Sequence, residues 1–153
     1  MPQITLLDPD SVESSELVQE TFEFWFADVD HIRAPFPSYI HNELKQISTK
    51  RFYEWASKIK DSAKEEMNDE MIGEKLEEII FDVATQLVKT EDEKITILYP
   101  FLPRLGDQIK DQNGKIGHIG SRQIAKDGDK SFLKVKLENE DLTVWETSFE
   151  LPL

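Results

Sequence analysis

The chain contains no cysteine, which excludes structural disulfides, thiolate zinc sites and cysteine nucleophiles together. Long hydrophobic runs are also missing. The longest, such as Ile95-Thr96-Ile97-Leu98-Tyr99, span only a few residues, whereas crossing a bilayer takes roughly 20, so no membrane segment is expected. The opening residues Met1-Pro2-Gln3-Ile4-Thr5-Leu6-Leu7-Asp8 have neither a basic n-region nor an apolar h-region. No secretory signal is therefore expected, and a cytoplasmic location follows by default. The glycine fingerprints of nucleotide sites and the Gly-x-Ser-x-Gly of hydrolases do not occur, which removes the usual sequence warrants for an enzyme. Nor does the Glu-x-x-His pairing that helical di-metal sites use. The three histidines, His31, His41 and His118, lie far apart and lack helical i, i+3 or i, i+4 spacing, so neither a metal site nor a cofactor is expected.

Basic charge is scarce: 18 Lys and Arg stand against 31 Asp and Glu, a formal net charge of −13. The excess is uneven, with 22 acidic and 10 basic residues up to Lys94 and 9 against 8 after it. A field of that sign repels phosphate backbones, which disfavours nucleic acid for the first part of the chain and favours a basic protein partner.

What is present first is helical periodicity. Leu17, Val18, Thr21, Phe22, Trp25 and Val29 recur at three- and four-residue steps behind the cap candidate Ser14-Ser15, predicting a helix over about residues 12 to 29. Pro35 and Pro37 then break the chain. Tyr39, Ile40, Leu44 and Ile47, followed by Phe52, Trp55, Ala56, Ile59 and Ala63, keep helical spacing except for a slip near Ser48-Thr49, which leaves one kinked helix or two open. Asn68 or Asp69 caps the clearest stripe, Ile72, Leu76, Ile79, Ile80, Val83 and Leu87. Glu74, Glu77, Glu78 and Asp82 sit on its other faces. Aromatics on more than one side of the first helix predict either a sandwiched helix or a homodimer interface.

From Ile95 the period switches to alternation, predicting a first strand over Ile95 to Tyr99 that Pro100 and Pro103 end. Asn113-Gly114 reads as a type I′ hairpin turn and Asp127-Gly128 as a second. Asp127-Gly128-Asp129 lacks the spaced ligands of a calcium loop. Phe132, Val135 and Leu137, then Leu142, Val144 and Trp145, supply further strands. The fold class expected is α+β. A three- or four-helix unit over residues 1–94 precedes a five-stranded antiparallel barrel over residues 95–153.

The pattern Gly106-Asp107-x-Ile109-x-Asp111-x-x-Gly114-x-x-Gly117-x-Ile119, with two more strands and the closing Phe149-Glu150-Leu151, resembles SH3-like small barrels of the KOW and Tudor kind. It covers about the last third of the chain. The resemblance implies a barrel and a recognition role without saying whose, since such barrels serve translation, transcription, chromatin and protein recognition alike. A methyl-lysine cage is not expected, because Phe132, Trp145 and Phe149 fall where core residues belong.

These readings converge on a non-enzymatic protein-interaction module. Binding is expected on the acidic helix face, through Glu74, Glu77, Glu78 and Asp82, or on the barrel loops around Asn113 and Asp127. One concrete form is an immunity- or antitoxin-type protein whose acidity complements a basic partner. The alternative is a nucleic-acid- or ribosome-associated factor binding through a barrel face containing Lys115, Arg122, Lys134 and Lys136, where alternation puts Lys134 and Lys136 on one side of a strand.

Overall fold

The computed structural model describes residues 6–27 and 33–152. It divides the chain into two compact units, one ending at Pro100 and one beginning at Phe101.

The first unit is helical. Helix α1, Val12–Phe26, is capped by Ser11, whose hydroxyl accepts the Ser14 N–H at 3.1 Å. The cap is thus Ser11, not the Ser14-Ser15 pair. Ser14 is fully buried one turn later, donating to the Leu6 carbonyl at 2.7 Å and meeting the Tyr53 hydroxyl at 3.0 Å. Val29, at the end of the expected helix, and His31 lie outside the described residues. After Pro37 a 3-10 turn, Ser38–Ile40, leads into α2, His41–Lys58. Leu44, Ser48, Phe52 and Ala56 are its buried residues. They are spaced by four, so the slip near Ser48 is one polar residue in an otherwise unbroken stripe, and the helix is continuous. A single turn, α3, Asp61–Lys64, precedes α4, Asp69–Leu87. Asn68 caps α4 by accepting the Met71 N–H at 2.9 Å. Ile72, Leu76, Ile80, Val83 and Ala84 are buried. Trp25 packs edge-on against Phe81 with ring centroids 4.9 Å apart and Phe36 packs on it tilted at 5.0 Å, extending the core with aromatic contacts.

Ile95 to Tyr99 is not a strand. Ile95 to Leu98 belong to α5, Glu91–Leu98, with Tyr99 as its C-cap, and the second unit begins after Pro100. The helix starts in a capping box: Thr90 accepts the Glu93 N–H at 3.1 Å, and Glu93 accepts the Thr90 N–H at 3.0 Å. Glu91, Asp92 and Glu93 fill the first turn, where the helix dipole favours acids. The alternation of Ile95, Ile97 and Tyr99 is overridden by that cap.

The second unit is an antiparallel meander of four strands in the order β1-β2-β3-β4: β1 Gln108–Lys110, β2 Ile116–Asp127, β3 Lys130–Asn139 and β4 Val144–Glu150. The expected fifth strand is missing because its residues are helical, and the sheet is not closed into a barrel; among the described residues β1 and β4 share no ladder. Asp127 opposes Lys130 across a tight Gly128-Asp129 turn with Gly128 at φ 63°. The Asn113-Gly114 turn is not type I′. Gly114 N–H donates to Asp111 O and Asp111 N–H to Lys115 O, a type I turn closed by Gly114 at φ 81°.

Register places Ile119, Leu137 and Trp145 side by side on one face, followed by Arg122, Val135 and Thr147, then Ile124, Leu133 and Phe149. Ile119, Leu133, Val135 and Leu137 are buried there. The opposite face carries Ser121, Lys136 and Glu146 in one row and Gln123, Lys134 and Ser148 in the next.

Candidate functional site

Two turns of the same construction meet at one end of the sheet. In the β1–β2 turn Asp111 opens a three-residue loop that Gly114 closes; in the β3–β4 turn Asn139 N–H donates to Thr143 O, Leu142 N–H donates to Asn139 O, and Leu142 takes the left-handed position at φ 68°. Asp111 Oδ1 accepts the Asn113 and Lys115 N–H groups, both at 2.9 Å, which fixes the loop from inside. The turns are tied together: Asn139 Nδ2 donates to Asp111 Oδ2 at 3.4 Å, and Trp145 Nε1 donates to Asn139 Oδ1 at 2.7 Å. Gly117 makes room for this chain of bonds. A Cβ on Gly117 would lie 2.7 Å from Asn139 Oδ1 and 2.9 Å from Trp145 Nε1.

A groove of about 440 Å³ opens beside this cluster, lined by Ile109 to Asn113 from β1 and its turn, by Thr143 just before β4, and by Trp145, Glu146, Thr147 and Phe149 from β4. The two strands at opposite ends of the sheet order therefore line one cavity. A second cleft of about 410 Å³ runs along Gly114, Lys115, Ile116, Glu140 and Asp141 and shares Asn139 with the first. Lys115 bridges to Asp141 at 3.3 Å. Hydrogen bonds from the Thr143 side chain and backbone, then from Lys115, hold the Asp141 carboxyl down at about 2. Comparison with family models, curated proteins and solved structures finds no match to this chain. The site rests on its own geometry.

The structure brings some of the residues singled out in the sequence together and separates others. Asn113 lines the groove and Lys115 the adjoining cleft. Asp127 is exposed as the last residue of β2, at the other end of the sheet. Lys134 and Lys136 share the outer face with Ser121, Gln123 and Glu146, and together with Arg122 these residues line a cleft of about 220 Å³. Arg122 lies in the row of Val135 on the other face, only 9% exposed, and its Nη1 donates to the Pro103 carbonyl at 2.8 Å. On α4, Glu77 accepts the Trp25 indole N–H at 2.7 Å, Glu78 bridges Lys75 at 3.2 Å and Asp82 bridges Arg51 at 3.3 Å. Glu74 is exposed. The acidic face is thus partly engaged in holding its own unit together.

Sequence reasoning passed over Ile109, Asp111, Asn139, Trp145 and Phe149 as binding residues. Trp145 and Phe149 were expected in a core; both are half-buried and line the groove. The signal was the alternation in Val144-Trp145-Glu146-Thr147-Ser148-Phe149-Glu150, which sends Trp145, Thr147 and Phe149 to one face. His118 is exposed on the outer face, 3.1 Å from the Gln108 amide. His41 stacks on Phe26 and contacts the Phe36 carbonyl at 3.0 Å. Among the described residues no three His, Asp or Glu side chains form a metal-binding group. The groove is lined by two ring-bearing residues, Trp145 and Phe149, two threonines, three amide side chains and the charged Lys110, Asp111 and Glu146.

Proposed function

We propose that the second unit is a non-enzymatic recognition module that takes an extended stretch of a partner protein into the groove between the two ends of its sheet. One observation carries this reading: β1 and β4 line the same groove. A groove of this size that sets Ile109, Trp145 and Phe149 among fixed polar groups has the character of a ligand site, and its lining by two strands suits an extended chain. The helical unit contributes charge: its excess of carboxylates attracts a basic partner and speeds encounter, the physical basis of an immunity- or antitoxin-type role. The setting we assign is the cytoplasm. Among the described residues no helix is long and apolar enough to cross a membrane.

The test is to pan a random peptide library on phage against the full chain and to follow the selected peptides on protein labelled with 5-fluorotryptophan. The chain has three tryptophans, Trp25, Trp55 and Trp145, so three fluorine resonances report three places. The expected result is enrichment of peptides that move the Trp145 resonance alone and that lose binding in Phe149→Ala. Peptides that move Trp25 or Trp55 instead, or no enrichment, would overturn the proposal.

A further inference from the structure

Resting on the groove reading above, we infer that the occupant adds to β4 as a fifth strand and is a segment of a basic protein in which apolar residues alternate with Lys or Arg.

The backbone sets the parity. Leu151 N–H donates to Ser131 O at 2.8 Å and Asn139 N–H to Thr143 O at 2.9 Å, which makes both narrow pairs of the β3–β4 ladder. Narrow and wide pairs alternate along an antiparallel ladder, so Trp145, Thr147 and Phe149 bond inward to β3. Val144, Glu146, Ser148 and Glu150 then turn their N–H and C=O groups outward to the open edge. Natural sheets blunt such edges with Lys, Pro, bulges or very short strands. β4 is seven residues long, Val144 to Glu150, with no Lys or Pro and an unbroken register; its charged residues, Glu146 and Glu150, are both acidic, so they protect the edge against another acidic strand and not against a basic one. β1, at the other end of the sheet, is only three residues long.

Side chains set the ligand. A strand added to β4 sends alternate residues toward Trp145, Thr147 and Phe149, where apolar groups fit. The residues between fall beside Glu146 and Glu150 on the outer face. Both carboxylates are more than half exposed and, among the described residues, are approached only from the β3 side, by Lys136 at 3.8 Å and Lys130 at 3.6 Å. A cation on the added strand completes a Lys–Glu–cation row at each position. Pairing with the β4 of a second copy sets carboxylates against carboxylates, which argues against self-association through this edge.

The probe is the peptide acetyl-Lys-Val-Lys-Val-Lys-Val-Lys-amide, titrated into the full chain by calorimetry at low salt. Its Lys-to-Glu counterpart and two N-methylated forms, one methylated on the lysines and one on the valines, are titrated alongside. With the added strand antiparallel to β4, lysines opposite Glu146 and Glu150 donate their N–H groups to β4 and the valine N–H groups point away from it. The expected result is binding about tenfold tighter than the acidic peptide and weakened several-fold in Glu146→Gln/Glu150→Gln. Lysine N-methylation is expected to cost at least about tenfold, and valine N-methylation less than about threefold. Binding at Trp145 that both methylation patterns weaken equally would overturn strand addition and leave the groove reading standing. Equal affinity for the acidic peptide, or no binding, would overturn the ligand chemistry. Binding that leaves the Trp145 fluorine resonance unmoved would overturn the groove reading as well.

Discussion

Replacing Gly117 by Ala tests the geometry that holds the groove. The added Cβ falls 2.7 Å from Asn139 Oδ1, 2.9 Å from Trp145 Nε1 and 3.1 Å from Leu137 Cβ. Two of those atoms are the partners of a 2.7 Å hydrogen bond, so the methyl cannot be accommodated without parting them or shifting two strands. Losing the bond costs about 1 kcal/mol, and overpacking costs about 1–3 kcal/mol. Ala returns about 0.4–1 kcal/mol by restricting the unfolded chain. The net loss is about 2 kcal/mol, roughly a 30-fold fall in the folding constant. Gly120→Ala is the internal control: it lies three residues along the same strand, and its Cβ would meet nothing within 4 Å. That variant should match the wild type or gain slightly. Urea unfolding followed by the fluorine resonance of Trp145, the one tryptophan of the second unit, reads this unit separately from the helices. Equal midpoints for the two variants would refute the claim that Gly117 is there to admit the Asn139–Trp145 bond.

On α4, Glu77→Ala leaves the buried Trp25 indole N–H without its acceptor and should destabilise the helical unit by about 1–3 kcal/mol. Glu74→Ala and Glu78→Ala should stay within about 0.5 kcal/mol, a difference that thermal unfolding by circular dichroism resolves. Ser48→Ala removes a buried hydroxyl that has no hydrogen-bond partner among the described residues and should raise stability by about 1 kcal/mol in the same measurement. Leu142 sits at φ 68° with 73% of its surface exposed. Leu142→Gly should therefore relieve more backbone strain than it loses in packing and stabilise the second unit by about 0.5–1 kcal/mol in urea titration. The folded Asp141 carboxyl, at about 2 against an ordinary 3.8, contributes stability that is full above the ordinary value and fades as pH falls through about 2. A carbon-detected carboxyl titration should place it there, and Thr143→Val should move it up toward 3.8.

How much of this was legible depended on whether one local signal went unopposed. The α4 stripe from Ile72 to Val83, with Asn68 before it, was read directly because period and cap agree. In α2 the buried Ser48 imitated a break, since a polar residue in a stripe has the same pattern as a shift of face. At Ile95 to Leu98 two signals conflicted: alternation spoke for a strand, while Thr90 and Glu93 spelled a capping box that decided for helix. The β2 to β4 meander was readable from its turns and alternation. Closure was not, because it depends on whether the first and last strands find each other, which no local pattern encodes. The groove was hidden for the same reason: alternation assigns Trp145 and Phe149 to a face but does not say whether anything covers them.

An open meander also folds differently from a barrel. Every ladder in the second unit joins strands adjacent in the chain, so each closes a loop of a few residues, and the entropy lost at each step is small. The β2–β3 hairpin, with Asp127 facing Lys130 across its tight turn, is the longest and can zip first, with β1 and β4 adding to its flanks. A barrel would need one further pairing between the chain-distant β1 and β4, the slow, high-separation contact that limits closed β topologies. Omitting it makes assembly of this unit a succession of local events on the timescale of hairpin formation, about microseconds per step.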